Sequence, residues 1–316
     1  MTAHRRIDVH QHLLPPDYVA WLRAKDIHAP GGRELPQWTV EDALRLQEEH
    51  DIATSILSVS APGVHLGDAA IARAKAREVN EFAARIAHDH PGRLGFFATL
   101  TLPDVDGALA EAAYAFDELH ASGVILLANT HGRYLGAPDD EPLFAELDQR
   151  RAVILVHPTE LPGPSVEGIP PFAADFLLDT TRAAYRLVRN GVVRRHPDLK
   201  IILSHAGGFL PYASHRIAAA MVAEGGRSPV EILEDLRSFY FDTALSGSPA
   251  ALPSLLAFAK PGHVLFGSDF PFAPPPAVGY FTGQLDAYAA LDADAHAAVD
   301  RRSAEALFPQ FSAGAR

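Results

Sequence analysis

The sequence predicts a (β/α)8 barrel, and three observations lead there. Short apolar runs alternate with longer stretches of helical period along the whole chain, as repeated strand–helix units around a parallel sheet do. Most of those runs are continuously apolar rather than alternating, as strands buried on both faces must be. No glycine fingerprint for a dinucleotide or a phosphate loop follows any of them, which sets the open nucleotide-binding sheets aside, and 316 residues suit one parallel barrel.

The elements follow in order. Residues 6–10 (RIDVH) form the first expected strand, and the connection over 13–38, rich in proline and glycine, is an insertion of irregular loop. Thr39 is placed to cap a helix over 40–50, and a second strand spans 53–60. A helix over 68–89, stopped by His90-Pro91-Gly92, precedes a strand over 94–100; a helix over 105–121 precedes a strand over 123–128. The fifth and sixth strands cover 152–157 and 200–205, separated by a long connection over 158–171 and a helix over 176–195. Strands over 239–243 and 263–269 enclose a helix over 249–259, and a last long connection runs over 270–283. All three long connections follow strands, so they belong to the C-terminal face of the barrel, where substrate loops gather.

Composition bounds the function. Lys+Arg 27 against Asp+Glu 39 gives a net charge of −12, which argues against a nucleic-acid or anionic-membrane partner. Cysteine is absent, which excludes disulfide scaffolds, thiolate zinc sites, iron–sulfur clusters and cysteine nucleophiles. The start of the chain carries no apolar leader and no run approaches the length of a membrane span, so the expectation is a cytoplasmic protein. With 48% hydrophobic residues and no linker or low-complexity tract, residues 1–316 read as a single domain.

Chemistry concentrates at the strand ends. Residues i and i+2 of a strand share a side, so His10 and His12 present their rings to one point while Val9 and Gln11 face away. That pair alone is a weak signal. The fifth, sixth and eighth strands finish at His157, His205 and Asp269, and a closed parallel barrel brings these ends to one mouth. Three imidazoles and one carboxylate form a nitrogen and oxygen donor set suited to Zn²⁺ and acceptable to Mn²⁺. By contrast His28, His50, His65, His88, His90, His120, His196 and His296 fall in loops or polar helical stretches and read as solvated. A second metal would need a bridging carboxylated lysine at a middle strand end. Lys25, Lys75, Lys200 and Lys260 are the only lysines and none stands there, so one ion is expected.

The segments that carry these residues resemble the motif series of the amidohydrolase superfamily: Asp8–His12 with the following Leu-Leu-Pro-Pro, Val156-His157-Pro158, Ser204 to Gly208, and Phe266 to Pro271. The likeness runs from residue 6 to about 275. It is closest to the branch of metal-dependent nonoxidative decarboxylases acting on aminocarboxymuconate semialdehyde, γ-resorcylate and 6-methylsalicylate. The resemblance implies that His10, His12, His157 and Asp269 ligate the metal and that His205 stands behind them against water or substrate. It also implies that Arg216 reaches a neighbouring subunit's site to hold a substrate carboxylate, hence a homodimer at least; the plainer alternative is a surface ion pair on a helix. Thr159 and Glu160 stand where the semialdehyde decarboxylase has a tryptophan, so that substrate is not expected here.

Two more features stay open at this level. Asp242 either orients a ligand or caps its own strand. Trp21, Phe176, Phe209 and Tyr212, with Phe270, Phe272 and Phe281, either wall an aromatic substrate or simply pack. The expected reaction is decarboxylation of a hydroxylated aromatic acid, with Asp269 the leading proton donor and His205 the alternative donor or the holder of the carboxylate. The same residues would serve a hydrolase acting on a lactone, amide or ester through a metal-activated water. A binding protein that inherited the ion is the third reading, disfavoured because an open donor set under long loops suits a structural ion poorly.

Overall fold

The computed structural model describes residues 4–312. Eight parallel strands lie in sequence order: β1 (Arg6–His12), β2 (Ile52–Ser58), β3 (Leu94–Thr99), β4 (Gly123–Leu127), β5 (Val153–His157), β6 (Lys200–Leu203), β7 (Tyr240–Asp242) and β8 (Val264–Leu265). The chain continuing from β8 closes the ring on β1. Val9 N–H donates to Phe266 O at 3.0 Å, Asp269 N–H to His10 O at 2.7 Å and His12 N–H to Phe270 O at 2.7 Å. A barrel leaves no strand edge unpaired, which is why runs apolar on both faces are stable here.

Two apolar layers result. Ile7, Val9, Ile56, Phe97, Leu155 and Ile202 fill the barrel floor, and Ala304 and Phe308 from the end of the chain plug it. The helices cover the outer faces of the strands in a larger core. Thr39 does cap its helix, Val40–Glu49, accepting from Asp42 N–H at 3.1 Å. The helix Ala69–Asp89 ends where His90-Pro91-Gly92 was expected to stop it. Among the described residues no helix is long and apolar enough to cross a membrane.

Several boundaries depart from expectation. The first and third long connections contain helices, Pro16–Ala24 and Pro275–Asp286, and the second ends where the helix Pro171–Arg189 begins. Proline lacks an N–H and has its φ pre-set, so at the first helical position it starts a helix rather than breaking one. The expected helix over 176–195 accordingly begins earlier, and it is interrupted before a short turn, Val192–Arg195. β6 stops at Leu203, because His205 and Ala206 take left-handed φ angles of 53° and 56°. His196, expected to be solvated, is buried: its ring stacks on Phe144, and Nε2 lies 3.0 Å from Glu141 Oε1.

Candidate metal centre and its cavity

The centre begins with an irregularity in β1. Asp8 pairs with Ser55 and Gln11 with Leu57, so three steps on β1 face two on β2, the signature of a bulge. Ile7 and Val9 below it belong to the apolar floor. The extra residue turns His10 and His12 together toward the mouth, a re-aiming that strand alternation alone does not provide. Asp8 anchors this turn. Fully buried, it accepts from His10 N–H (3.0 Å), Ser268 N–H (3.0 Å), Ser268 Oγ (2.6 Å) and Gln11 Nε2 (3.2 Å), tying β1 to the segment that carries Asp269. Burial pushes the Asp8 carboxyl up to about 6.

Three imidazoles are held in one tautomer. His157 Nδ1 donates to Pro158 O at 2.8 Å. His12 Nδ1 lies 3.2 Å from Ser58 O. His10 Nδ1 lies 2.7 Å from Asp242 Oδ2. A carbonyl or carboxylate oxygen can only accept, so each ring carries a proton on Nδ1 and turns its Nε2 inward, the atom a bound cation would take as ligand. His10 Nε2 and His12 Nε2 are 3.0 Å apart, and Asp269 Oδ1 stands 3.4 and 3.1 Å from them. Donor atoms of His10, His157, His205 and Asp269 fall within 4.8 Å of one another. Bonds of about 2.0–2.2 Å at tetrahedral to octahedral angles put neighbouring ligand atoms roughly 2.9–3.4 Å apart, so a divalent ion fits this spacing.

Electrostatics favour a cation at the same point. Burial lowers His12 and takes His157 well below the ordinary imidazole value, which keeps both neutral and able to ligate. Burial also opposes charge on His10, but the carboxylates of Asp242 and Asp269 outweigh it and raise that ring to about 10. Burial works against the Asp269 anion too, yet hydrogen bonds from His10, His12 and His205 hold its carboxyl well below the usual range.

His205 differs from the other three. Its Nε2 is 3.4 Å from Asp269 Oδ2, and its buried Nδ1 has no hydrogen-bond partner among the described residues. The backbones of His205 and Asp269 both sit at left-handed φ, 53° and 62°, strain that the surroundings must hold in place. Asp242 does much of this at His205: its Oδ1 accepts from His205 N–H at 2.9 Å and Ala244 N–H at 3.0 Å, while Oδ2 holds His10. Asp242 thus orients the His10 ring and caps the local backbone at once. Gly208 completes the turn, for a Cβ there would stand 2.1 Å from Leu177 O.

Above His157, His205 and Asp269 opens a cavity of about 560 Å³. Phe176, Phe209, Tyr212, Phe272 and Phe281 wall it, which settles for them the choice between walling a cavity and simply packing. Trp21 and Phe270 do not. Trp21 packs beside Tyr18, and Phe270 is buried against Ala43 and Leu46. Two wall residues carried no readable signal in the sequence. Phe172 lies at the start of a helix expected to begin later, and Arg33 sits in the aperiodic first connection. Among the described residues Arg33 is the one Lys or Arg side chain on this wall, with its guanidinium carbon 5.7 Å from the Phe172 ring centre. Arg216 is exposed on the helix Leu210–Ala223, outside the wall, and makes no ion pair among the described residues.

Known proteins share this architecture. Residues 7–310 match the family model described as amidohydrolase. The 6-methylsalicylic acid decarboxylase of Penicillium expansum is 41% identical over 317 residues, covering 96% of each chain. A solved amidohydrolase II superposes with a TM-score of 0.91 at 31% identity, covering 96% of this chain and 99% of its own. A dihydroxybenzoic acid decarboxylase from Polaromonas sp. JS666, solved with manganese and the inhibitor 2-nitroresorcinol, shares the fold with a TM-score of 0.81 at 22% identity over 98% of both. A match that runs from the first strand of the barrel to its floor plug places the chain in the amidohydrolase family, among relatives that decarboxylate aromatic acids.

Proposed function

We propose that the protein is a metal-dependent nonoxidative decarboxylase of a hydroxylated aromatic acid of the salicylate or 6-methylsalicylate type. The observation that carries this reading is the convergence of three Nδ1-protonated imidazoles and Asp269 beneath a cavity walled by aromatic rings. His10, His12, His157 and Asp269 hold one divalent ion, Zn²⁺ by preference of the donor set and Mn²⁺ as the alternative. When bound, the ion supplies the positive charge that favours the ionised carboxylate and ortho hydroxyl of the substrate.

The protein's own groups do the rest. The apolar wall excludes water and stacks the ring. Arg33 faces the anionic substrate from the first connection, and Arg216 is brought to the cavity by a second copy of the chain. Exposed apolar residues around the mouth, Val166, Ile169, Phe172, Phe209 and Tyr212, give that second copy a surface to cover. Asp269, ionised in the free protein, gains a proton only once the anionic substrate is buried beside it and then delivers that proton to the ring carbon bearing the carboxylate, with His205 hydrogen-bonded to Asp269 Oδ2 as its partner and alternative donor. The carbon–carbon bond then breaks, its electron pair returns to the ring and restores aromaticity, and CO2 leaves.

Carboxyl-labelled 6-methylsalicylate decides the matter. Incubated with Zn²⁺- or Mn²⁺-loaded protein, the label is expected to leave as CO2 with stoichiometric 3-methylphenol. Absence of labelled CO2 from this and the other ortho-hydroxybenzoates with both metals refutes the proposal.

A further inference from the structure

Two segments far apart in sequence bring Arg33 and Phe172 to the cavity wall, and a hydrogen bond joins the first of them to the connection that leads into the second. Asn129 and Asp179 are buried, and Asp179 Oδ1 accepts from Asn129 Nδ2 at 2.9 Å. Asp179 Oδ2 accepts from Thr159 N–H at 2.9 Å, and Asn129 Nδ2 also donates to Glu160 O at 3.1 Å. The backbone just beyond His157 is thereby pinned at Thr159 and Glu160 by groups that do not involve the Glu160 side chain. From this fixed base the Glu160 carboxylate reaches across, and its Oε1 accepts from Gly31 N–H at 2.8 Å.

Gly31 occupies a seat shaped for it. Its φ is +69°, and a Cβ would stand 2.4 Å from Phe176 Cζ. Gly32, at φ +80°, has Pro171 Cδ 2.7 Å from its would-be Cβ. The short turn Pro30–Gly32 thus rests on the helix Pro171–Arg189, and Arg33 leaves it directly onto the cavity wall beside Phe172. Irregular chain of this kind keeps a fixed side-chain direction only where such contacts hold it.

We propose that Glu160 is a positioning residue that latches the first connection to the fifth, and so aims Arg33 at the anionic group of the substrate. This rests on the decarboxylase reading for the identity of the substrate, but the latch itself is a property of the free protein. Glu160 touches neither the metal-site histidines nor the cavity wall, so its effect passes through Gly31 to Arg33.

Full-length, metal-loaded protein is compared as wild type, Glu160→Ala and Glu160→Gln. Hydrogen exchange is followed in peptides covering residues 26–38 and 153–160, and turnover is measured on 6-methylsalicylate. Glu160→Ala is expected to speed exchange in 26–38 alone and to raise KM by about three- to tenfold, the loss of one part-exposed charged acceptor, with kcat within about twofold. Glu160→Gln keeps an acceptor oxygen and restores both values. Gly31→Ala, which cannot fit beneath Phe176, raises KM in the same way. Unchanged exchange in Glu160→Ala, or a fall in kcat at constant KM, overturns the latch. Wild-type protein that exchanges as expected and decarboxylates no aromatic acid overturns the functional reading and leaves the latch standing.

Discussion

Replacing Asp242 by asparagine tests whether one carboxylate both fixes the tautomer of His10 and holds the strained turn at His205. Asparagine has the shape of aspartate, so the fully buried site stays filled. Two of the three groups that Asp242 serves are backbone N–H donors, those of His205 at 2.9 Å and Ala244 at 3.0 Å, and they need an oxygen. The amide therefore keeps its oxygen toward them and turns its nitrogen to His10 Nδ1, where the carboxylate stood at 2.7 Å. Two N–H groups then oppose each other unless His10 moves its proton to Nε2, the atom 3.0 Å from His12 Nε2. One lone pair leaves the ligand set.

Loss of such an orienting partner costs roughly 10–100-fold in metal affinity, or about 1.4–2.8 kcal/mol. Competition against a chromophoric chelator measures it directly, with elemental analysis after dialysis as a check. Alanine at this position would orphan both N–H groups at about 1–3 kcal/mol each and blur the result with unfolding, so asparagine is the sharper variant. Affinity of Asp242→Asn within about twofold of wild type, in protein that melts normally, refutes the tautomer reasoning.

Other outcomes follow from the same geometry. His205→Ala should lower turnover by at least about 10²-fold while metal content stays at the wild-type value; near wild-type CO2 release removes His205 from the chemistry. Dialysis against a chelator should abolish turnover, and Zn²⁺ or Mn²⁺ should restore it, whereas activity that survives full metal removal contradicts the metal-dependent reading. Phe308→Ala should destabilise the barrel by about 3–5 kcal/mol in urea unfolding, since Phe308 is buried in the floor with Phe97 at 5.9 Å; a loss below about 1 kcal/mol means the plug is dispensable. Burial holds His263 below its ordinary value of 6.5 despite the Phe239 carbonyl that accepts from it. The unfolded chain then binds this proton more readily, so stability is lost as pH falls below 6.5. His263→Phe, which keeps the stack on Tyr240, should flatten that slope.

The barrel and the convergence of its strand-end histidines and Asp269 were legible because both depend on local order. A continuous apolar run marks a strand whatever lies around it, and parallel order then dictates that the ends of β1, β5 and β6 and the segment after β8 meet. The misreadings mark where that logic stops. Proline and glycine suggested loops over 13–38 and 270–283, but Pro16 and Pro275 each open a helix there, and only the residues that follow can tell the two uses apart; the loop after β5 holds as far as Pro170, and Pro171 opens the next helix earlier than expected. His196 looked solvated because its partners, Phe144 and Glu141, belong to a helix some fifty positions earlier. The sixth run looked like strand through His205, although the backbone turns left-handed there; what holds it is Asp242, on another strand.

The same distinction separates metal binding from substrate choice in this molecule. The rings of His10, His12 and His157 are fixed by the strand ladders and by acceptors on neighbouring strands or adjacent residues, Asp242, Ser58 and Pro158, so their geometry is as stiff as the barrel itself. Arg33 is held from outside the ladders, through Gly31, by a carboxylate 129 residues further along the chain and by a phenyl ring that fills the space a side chain would need. Sequence change at Glu160, Gly31 or Phe176 can therefore re-aim the cation without disturbing the metal centre. A barrel arranged in this way can keep one chemistry at its strand ends while the mouth is altered to admit a different aromatic acid.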